Sequence, residues 1–231
     1  MDPIDVAIVQ AVSKFALVGE DHLHNYLLRR HPDAFLGPRP PNIGARLARL
    51  EAAQYIQNRP VVEAVTQAAP GNAEDVAVRA GNVVVHKCYY VTQRAGTDLN
   101  LALPPDIRDN FIEHHFATLK ALERIEKEAD ARGDRVLEMK LEGELIRDNF
   151  KGHVFDRRGE VRGKFADAVV TVEHPDGSTE DVNVEYVSSK YTDEQISDKA
   201  KNFQGRVVWA VDNSRTAARV QAITDQEPMV L

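Results

Sequence analysis

The sequence contains one cysteine, Cys88, and no apolar run of the roughly 20 residues that a transmembrane helix requires. A lone cysteine forms neither an internal disulfide nor a cysteine-rich zinc site, so any bound metal must have oxygen or histidine ligands. The first residues lack the basic start and apolar stretch of a signal peptide. We therefore expect a cytoplasmic protein without a membrane partner.

Two common catalytic motifs are also missing. The sequence has neither a glycine-rich phosphate loop nor a serine in a nucleophile elbow, which argues against NTPases and acyl hydrolases. Cys88 stands beside Tyr89 and Tyr90 in a β-rich segment, so we interpret it as a small apolar filler and not as a nucleophile.

The net charge of −7 argues at first against a nucleic-acid partner. The excess of acid lies in residues 104–231, with 19 Lys and Arg against 26 Asp and Glu, whereas residues 1–103 hold ten of each kind. Four arginines of the first half (Arg39, Arg46, Arg49 and Arg59) are opposed nearby only by Glu51. A second basic stretch runs from Arg147 to Lys164. The negative net charge therefore does not exclude local basic patches that could contact a nucleic acid.

Residues 1–103 follow the order of a winged helix-turn-helix domain. Apolar residues at helical spacing predict helices over 4–15 and around 23–27, and Asn42 is the expected N-cap of a third helix. A β-ribbon follows, with strands at 61–65 and 82–91 and a tip at Pro70-Gly71-Asn72. Pro104 and Pro105 end the module, since two prolines cannot continue a strand ladder.

The third helix has one apolar side and carries Arg46 and Arg49 on the opposite side. In the winged-helix order this basic side is expected to contact duplex DNA. The alternative is the solvated side of an ordinary amphipathic helix. The DNA-binding candidates are Asn42, Arg46, Arg49, Arg59, Lys87 and Arg94.

Residues 104–231 predict a mixed α/β domain. The pattern indicates a long helix over 106–131, a helix-like segment over 137–149, and a hairpin with strands over 165–173 and 182–187. A turn over 174–178, a helix over 193–203, a strand over 207–211 and a helix from Ser214 complete the domain.

Each strand of this hairpin carries an acid in apolar surroundings. Asp167 lies early in the first strand, and Glu185 lies in the second, where Val182, Val184 and Tyr186 occupy the other face. Two carboxylates from adjacent strands suffice for Mg²⁺ or Mn²⁺, which takes oxygen ligands and keeps several waters. The alternative is a pair of ordinary exposed strand residues.

Helix, hairpin with an acid on each strand, helix and strand is the core order of PD-(D/E)XK nucleases. Their motif places Lys two residues after the Glu, where this chain has Val187. Lys199 lies at the edge of the apolar, inward-facing side of the next helix. We expect it to supply the positive charge of the missing lysine. Lys190 is the fallback, and Lys201 is expected to be solvated.

A further acid usually comes from the preceding helix, and Glu138, Glu142 and Glu144 are available. Glu142 and Glu144 cannot share a helix face, and we favour Glu144 as the catalytic acid. On the long helix, His114 and His115 diverge by about 100° and cannot chelate one ion together. We expect His115 to be a packed core residue.

Three segments carry a resemblance to a known family: Tyr89–Arg94 after a strand, Phe165–Ala168 with Val184-Glu185 and Lys199 downstream, and Val208–Asp212. Over nearly its full length the chain resembles the plasmid replication-relaxation proteins. The resemblance implies an accessory DNA-binding role in plasmid mobilisation, relaxation or a related mobile-element process.

The expected fold is α/β in the α+β sense, with a winged helix-turn-helix in 1–103 and a PD-(D/E)XK restriction-endonuclease-like mixed sheet flanked by helices in 104–231. The first hypothesis is a Mg²⁺- or Mn²⁺-dependent endodeoxyribonuclease of a plasmid or mobile element that binds double-stranded DNA. The alternatives are an accessory factor without activity and a transcriptional regulator. Other mobilisation or replication proteins and a second copy in a homodimer are further candidate partners.

Overall fold

The computed structural model describes residues 1–36, 40–64, 83–104, 107–108, 111–149 and 165–231. The chain forms two compact units, Met1–Ile107 and Arg108–Leu231. Each unit combines helices with one sheet, so the expected α/β class in the α+β sense is confirmed at that level. The predicted ribbon tip at 70–72 and most of the basic stretch from Arg147 to Lys164 lie outside the described residues.

The first unit contains a three-stranded sheet and five helices among its described residues. The sheet has β3 at its centre, and both β1 and β2 pair with β3 in antiparallel fashion. In chain order the elements are α1 (Pro3–Phe15), β1 (Val18–Gly19), α2 (Glu20–Arg30), α3 (Pro32–Phe35), α4 (Ile43–Ala52), β2 (Ile56–Ala64), β3 (Val83–Val91) and α5 (Gln93–Leu99).

Local sequence signals explain where two of these helices begin. The Asp2 side chain accepts a 2.8 Å hydrogen bond from the Ile4 N–H at the start of α1. The Asn42 side chain accepts one of 2.9 Å from the Ala45 N–H, so the N-cap prediction for Asn42 is confirmed. The short elements β1, α3 and α5 were not predicted, because they have too few residues for a periodic pattern.

Apolar side chains of α1, α2 and α4 pack with β3 to form the core of the first unit. Its fully buried members include Ile8, Val12, Phe15, Leu23, Leu27, Leu47, Ile56 and Cys88. Burial raises the pKa of the Cys88 thiol to about 11, which disfavours the reactive thiolate. This environment agrees with the interpretation of Cys88 as an apolar filler.

The second unit has a five-stranded mixed sheet of order β4-β5-β6-β7-β8. Strands β4, β5 and β6 are antiparallel neighbours, whereas β7 runs parallel to β6 and β8 parallel to β7. The elements are α6 (Ile112–Arg132), β4 (Arg135–Leu141), α7 (Glu142–Asn149), β5 (Ala168–Glu173), β6 (Thr179–Val187), α8 (Asp193–Asn202), β7 (Arg206–Val211), α9 (Ser214–Thr224) and β8 (Met229–Val230).

Helices cover both faces of this sheet. Val187 on β6 packs with Ile196 of α8 and Val220 of α9, while the neighbouring Tyr186 meets His114 of α6. Because consecutive strand residues point to opposite faces, α6 lies on one face and α8 and α9 lie on the other. A capping box between Thr192 and Gln195 fixes the start of α8.

The prediction of a helix over 137–149 is wrong in its first part, because residues up to Leu141 form strand β4. The pairing of β4 with β5 shifts between Val136 and Glu138. This irregularity breaks the alternation by which a strand is recognised in a sequence. Strand β5 also begins at Ala168, so Asp167 immediately precedes the strand instead of lying within it.

Candidate functional site

The two acids of the hairpin come together at one end of the β5–β6 pair. Ala168 pairs with Val184, which places the preceding Asp167 beside the β6 segment that carries Glu185. The Tyr186 N–H donates a 2.7 Å hydrogen bond to Oδ2 of Asp167. Only 8% of Asp167 and none of Glu185 is exposed to solvent. The alternative of two ordinary exposed strand residues is therefore wrong.

Lys199 reaches Glu185 from helix α8. Its Nζ contacts Oε1 of Glu185, and it also lies 5.6 Å from the ring centroid of Tyr191. Ile196, one turn earlier on α8, is fully buried against Val187, and this packing directs Lys199 towards the acids. Lys190 and Lys201 are both exposed.

Val187 explains why the lysine comes from the helix. It stands two residues after Glu185, on the same face of β6, and is fully buried in the apolar cluster beneath α8 and α9. A lysine at this position would place its charge in that cluster, which would be costly. Position 199 instead leaves about a fifth of the lysine side chain exposed.

His114 of α6 is a fourth member of the site and was not predicted. Its Nε2 lies 2.9 Å from Oδ1 of Asp167, and its ring meets Tyr186 edge-on with 5.2 Å between centroids. The sequence does contain a signal, because buried Ala117 and Ala121 follow His114 at spacings of three and seven. Small residues at those spacings mark the side of α6 that approaches the sheet.

Burial and mutual charge shift the protonation equilibria of the site. Burial, together with the charge of Asp167, raises the pKa of Glu185 to about 8, even though Lys199 acts to lower it. Burial lowers the pKa values of Lys199 and His114, but the carboxylates beside them more than reverse this effect. Lys199 and His114 therefore favour their protonated, positively charged forms beside the two buried acids.

One atom of this cluster is uncompensated. Oε2 of Glu185 is buried and has no hydrogen-bond partner among the described residues. A buried carboxylate oxygen that has lost its water is costly unless another group replaces that water. A hard cation or its bound water would satisfy this oxygen.

The neighbouring helix acid is Glu142, and the preference for Glu144 is not supported by the geometry. The Glu142 N–H donates a 2.8 Å hydrogen bond to the Asp167 carbonyl. Burial and the charge of Asp167 raise the pKa of Glu142. Glu144 instead accepts a 3.2 Å hydrogen bond from the Leu141 N–H and lies 3.8 Å from Arg147.

Few of the described side chains are placed to bind a metal ion. Among the described residues, no group of three or more histidine, cysteine or carboxylate side chains is placed to hold an ion. Magnesium commonly needs only one or two protein carboxylates and completes its coordination with water or substrate oxygens. Asp167 and Glu185 fit that requirement, and Oε2 of Glu185 has no hydrogen-bond partner among the described residues.

The expected basic face of the first unit is largely neutralised. Arg46 donates a 2.7 Å hydrogen bond to Asp5 and lies 3.3 Å from Asp2, while Arg49 lies 2.5 Å from the same Asp5. Only 20% of the Arg46 side chain is exposed, against 61% for Arg49. Glu51 is the one acid near these arginines in the sequence, but in the structure Asp5 of α1 contacts Arg46 and Arg49, and the N-cap Asp2 contacts Arg46.

The other DNA-binding candidates also have contacts within the first unit. Asn42 caps α4, and Arg59 donates a 2.8 Å hydrogen bond to the Ile107 carbonyl. Lys87 lies 3.9 Å from Glu51, and Arg94 stacks on Tyr55 at 4.9 Å from the ring centroid. Arg49, Lys87 and Arg94 keep half or more of their side chains exposed.

Comparison with known proteins identifies no family. No protein-family model, curated protein or solved structure matches the chain. No described helix has the length and apolar character needed to cross a membrane. The case for a function therefore rests on the residues of the site.

Proposed function

We propose that this protein binds double-stranded DNA and that its second unit is a Mg²⁺- or Mn²⁺-dependent endonuclease of the PD-(D/E)XK type. A role in a plasmid or mobile element, as in the replication-relaxation proteins that the sequence resembles, is part of the proposal. The observation that carries it is the completely buried Glu185, with Lys199 on one carboxylate oxygen and no partner among the described residues on the other.

The topology of the second unit supports this proposal. Helix α6 is followed by the antiparallel strands β4, β5 and β6, then by helix α8 and the parallel strand β7. The sequence predicted helix, hairpin, helix and strand, and the structure adds strand β4 and helix α7 between α6 and the hairpin. The two acids occupy the end of the central β5–β6 pair, where the order expects the ligands.

The proposed chemistry assigns each side chain a separate task. A bound Mg²⁺ or Mn²⁺ would polarise the phosphate and lower the pKa of a water molecule. Asp167 and Glu185 would bind the ion through their carboxylates. Lys199 would release Glu185 and offset the charge that develops on the phosphate. Glu142, whose pKa is raised by burial and by the charge of Asp167, would orient a water at the same site.

The first unit supplies the proposed DNA contact. Its order of helix, short strand, helices and β-ribbon supports a winged helix-turn-helix, in which α4 would contact the major groove. Arg49 is the most exposed of the candidate α4 side chains that carry charge, so it is the best placed for a phosphate. The neutralisation of Arg46 predicts a smaller contribution from that residue.

A second candidate function is a DNA-binding accessory factor that keeps the fold without the activity. His114 contacts Asp167 and Lys199 contacts Glu185, so both acids already have internal partners. Such partners would make an external cation unnecessary. A transcriptional regulator would also be served by a winged helix, and it would likewise need no metal.

A cleavage and melting experiment tests the proposal. Wild-type protein is incubated with supercoiled, linear and branched DNA in Mg²⁺, Mn²⁺ or chelator, and its melting temperature is measured in the same ions. We expect cleavage and a metal-induced rise in melting temperature, and Glu185→Gln should lose both. Asp181→Asn is the matched control, because Asp181 lies on the same strand but is exposed.

Absence of cleavage together with absence of a metal-induced shift in the wild type would reject the nuclease and favour the accessory factor. A metal-induced shift that Glu185→Gln retains would reject Glu185 as a ligand. Duplex binding, measured separately by gel shift, should persist in Glu185→Gln because the proposed DNA contact lies in the other unit.

A further inference from the structure

The Asp167 carboxylate is held on both of its oxygens. Oδ2 accepts the hydrogen bond from the Tyr186 N–H at 2.7 Å, and Oδ1 lies 2.9 Å from Nε2 of His114. The first contact comes from the backbone of β6, so it is built into the strand pairing. The second comes from a side chain on α6, and a substitution can remove it.

The His114 ring is itself fixed by packing. It meets Tyr186 edge-on at 5.2 Å, and Tyr186 is only 2% exposed. Ala117 and Ala121, on the same side of α6, are buried and let the helix approach the sheet closely. The contact with Tyr186 restrains the imidazole beside Asp167, where it can orient that carboxylate.

We propose that His114 is a positioning residue that holds the Asp167 carboxylate in the orientation needed to share a divalent cation with Glu185. This inference rests on the proposed metal-dependent function. Each carboxylate oxygen has two lone pairs, so Oδ1 can accept the imidazole N–H and still bind a cation. Partners that orient metal ligands typically change metal affinity by about 10–100-fold when they are removed.

Two substitutions separate the hydrogen bond from the packing. His114→Phe keeps an aromatic ring that can meet Tyr186 but has no N–H to donate. His114→Gln loses the ring but can place an amide N–H close to the position of Nε2. A purely structural role would make Phe the milder change, whereas a positioning role makes Gln the milder change.

The experiment measures Mn²⁺ binding to the full-length protein without DNA at pH 7.5, by calorimetry and by the electron paramagnetic resonance signal of free Mn²⁺. We expect His114→Phe to weaken binding by about 10–100-fold and His114→Gln to stay within about threefold of wild type. His115→Phe is the matched control, because it changes the adjacent histidine of the same helix. Circular dichroism verifies that each variant is folded.

Three outcomes would decide the matter against the proposal. Unchanged Mn²⁺ affinity in folded His114→Phe, or an equal loss in Phe and Gln, would overturn the positioning role while leaving the metal site intact. Failure of the wild type to bind Mn²⁺ would overturn the proposed function together with this inference. If His114→Phe does not fold, His114→Asn replaces it, because its shorter amide should not reach Oδ1 and should weaken binding by the same factor.

Discussion

Lys199 and Glu185 lie 14 positions apart on different elements, yet Nζ of Lys199 contacts Oε1 of Glu185. The contact connects the C-terminal end of strand β6 with helix α8, which follows it after one loop. It compensates one oxygen of an acid that has no solvent exposure and leaves the other without a partner among the described residues. Substitution of either residue should therefore change both stability and the response to cations.

The pH dependence of stability should report the buried charge of Glu185. Its pKa is raised from 4.5 to about 8 in the folded protein, chiefly by burial, so the folded state binds more protons than the unfolded state between these values. This group should therefore make stability fall as pH rises from about 4.5 to about 8.

Glu185→Gln should remove that contribution to the slope. Denaturant unfolding at several pH values is the measurement, and the slopes are compared because loss of the Lys199 contact shifts the whole curve. Parallel curves for the two proteins across this pH window would contradict the raised pKa.

Lys199→Met should separate metal binding from cleavage. Without metal it removes the partner of the buried Glu185 side chain, which should raise the pKa of Glu185 further and lower stability by about 1–3 kcal/mol. Added Mg²⁺ should then raise the melting temperature more than it does in wild type, while cleavage is lost. Lys201→Met, at an exposed position of the same helix, is the control. An unchanged response to Mg²⁺ in Lys199→Met would argue against competition between the ammonium and a cation.

Glu142→Gln and Glu144→Gln form a matched pair on α7. Glu142 is influenced by the charges of Asp167, Lys199 and His114. Glu144 instead accepts a hydrogen bond from the Leu141 N–H and lies 3.8 Å from Arg147 in the last turn of the same helix. We expect Glu142→Gln to reduce the cleavage rate by about 10–100-fold, as for residues that orient metal-site groups. Glu144→Gln should stay near the wild-type rate. A reversed order of the two variants would restore Glu144 as the helix acid.

Arg46 and Arg49 should differ in what they lose on substitution. Arg49→Ala should weaken duplex binding and reduce its salt dependence by about one unit of slope, as expected for one lost phosphate contact. Arg46→Ala removes one partner of the buried Asp5 carboxylate, so it should cost about 1–3 kcal/mol of stability. Gel shifts over a salt series and thermal melts measure the two effects.

Asp5→Asn is the reciprocal variant. It should strengthen duplex binding, because it removes an acid that neutralises both arginines. Equal salt slopes in wild type, Arg49→Ala and Asp5→Asn would exclude this cluster from the DNA interface.

Sequence patterns identified the acids of the site because a charged residue amid apolar strand neighbours is unusual. Asp167 and Glu185 could be recognised in this way, and Lys199 by its place at the edge of the apolar stripe of α8. His114 was missed because its partner lies on another element, and the adjacent His115 fitted the apolar stripe better. Strand β4 was missed because its irregular pairing with β5 hides the alternation of its buried residues.

Charge counting along the sequence failed in the first unit for a related reason. Asp5 precedes Arg46 by 41 positions, so a local window shows the arginine without its acid. In the structure, Asp5 of α1 contacts Arg46 of α4 and offsets the positive charge that the sequence predicted would face DNA. Only the tertiary structure distinguishes the paired Arg46 from the more exposed Arg49.

The two outer strands of the five-stranded sheet bear on how the chain behaves at high concentration. Strand β4 pairs only with β5 among the described strands, but it carries Arg135, Glu138 and Lys140 and is irregular between Val136 and Glu138. At the opposite margin, β8 has only two residues. Charged side chains, bulges and very short edge strands hinder another chain from adding a strand to the sheet. The sheet is thus poorly suited to edge-to-edge aggregation, a route by which open sheets extend into fibrils.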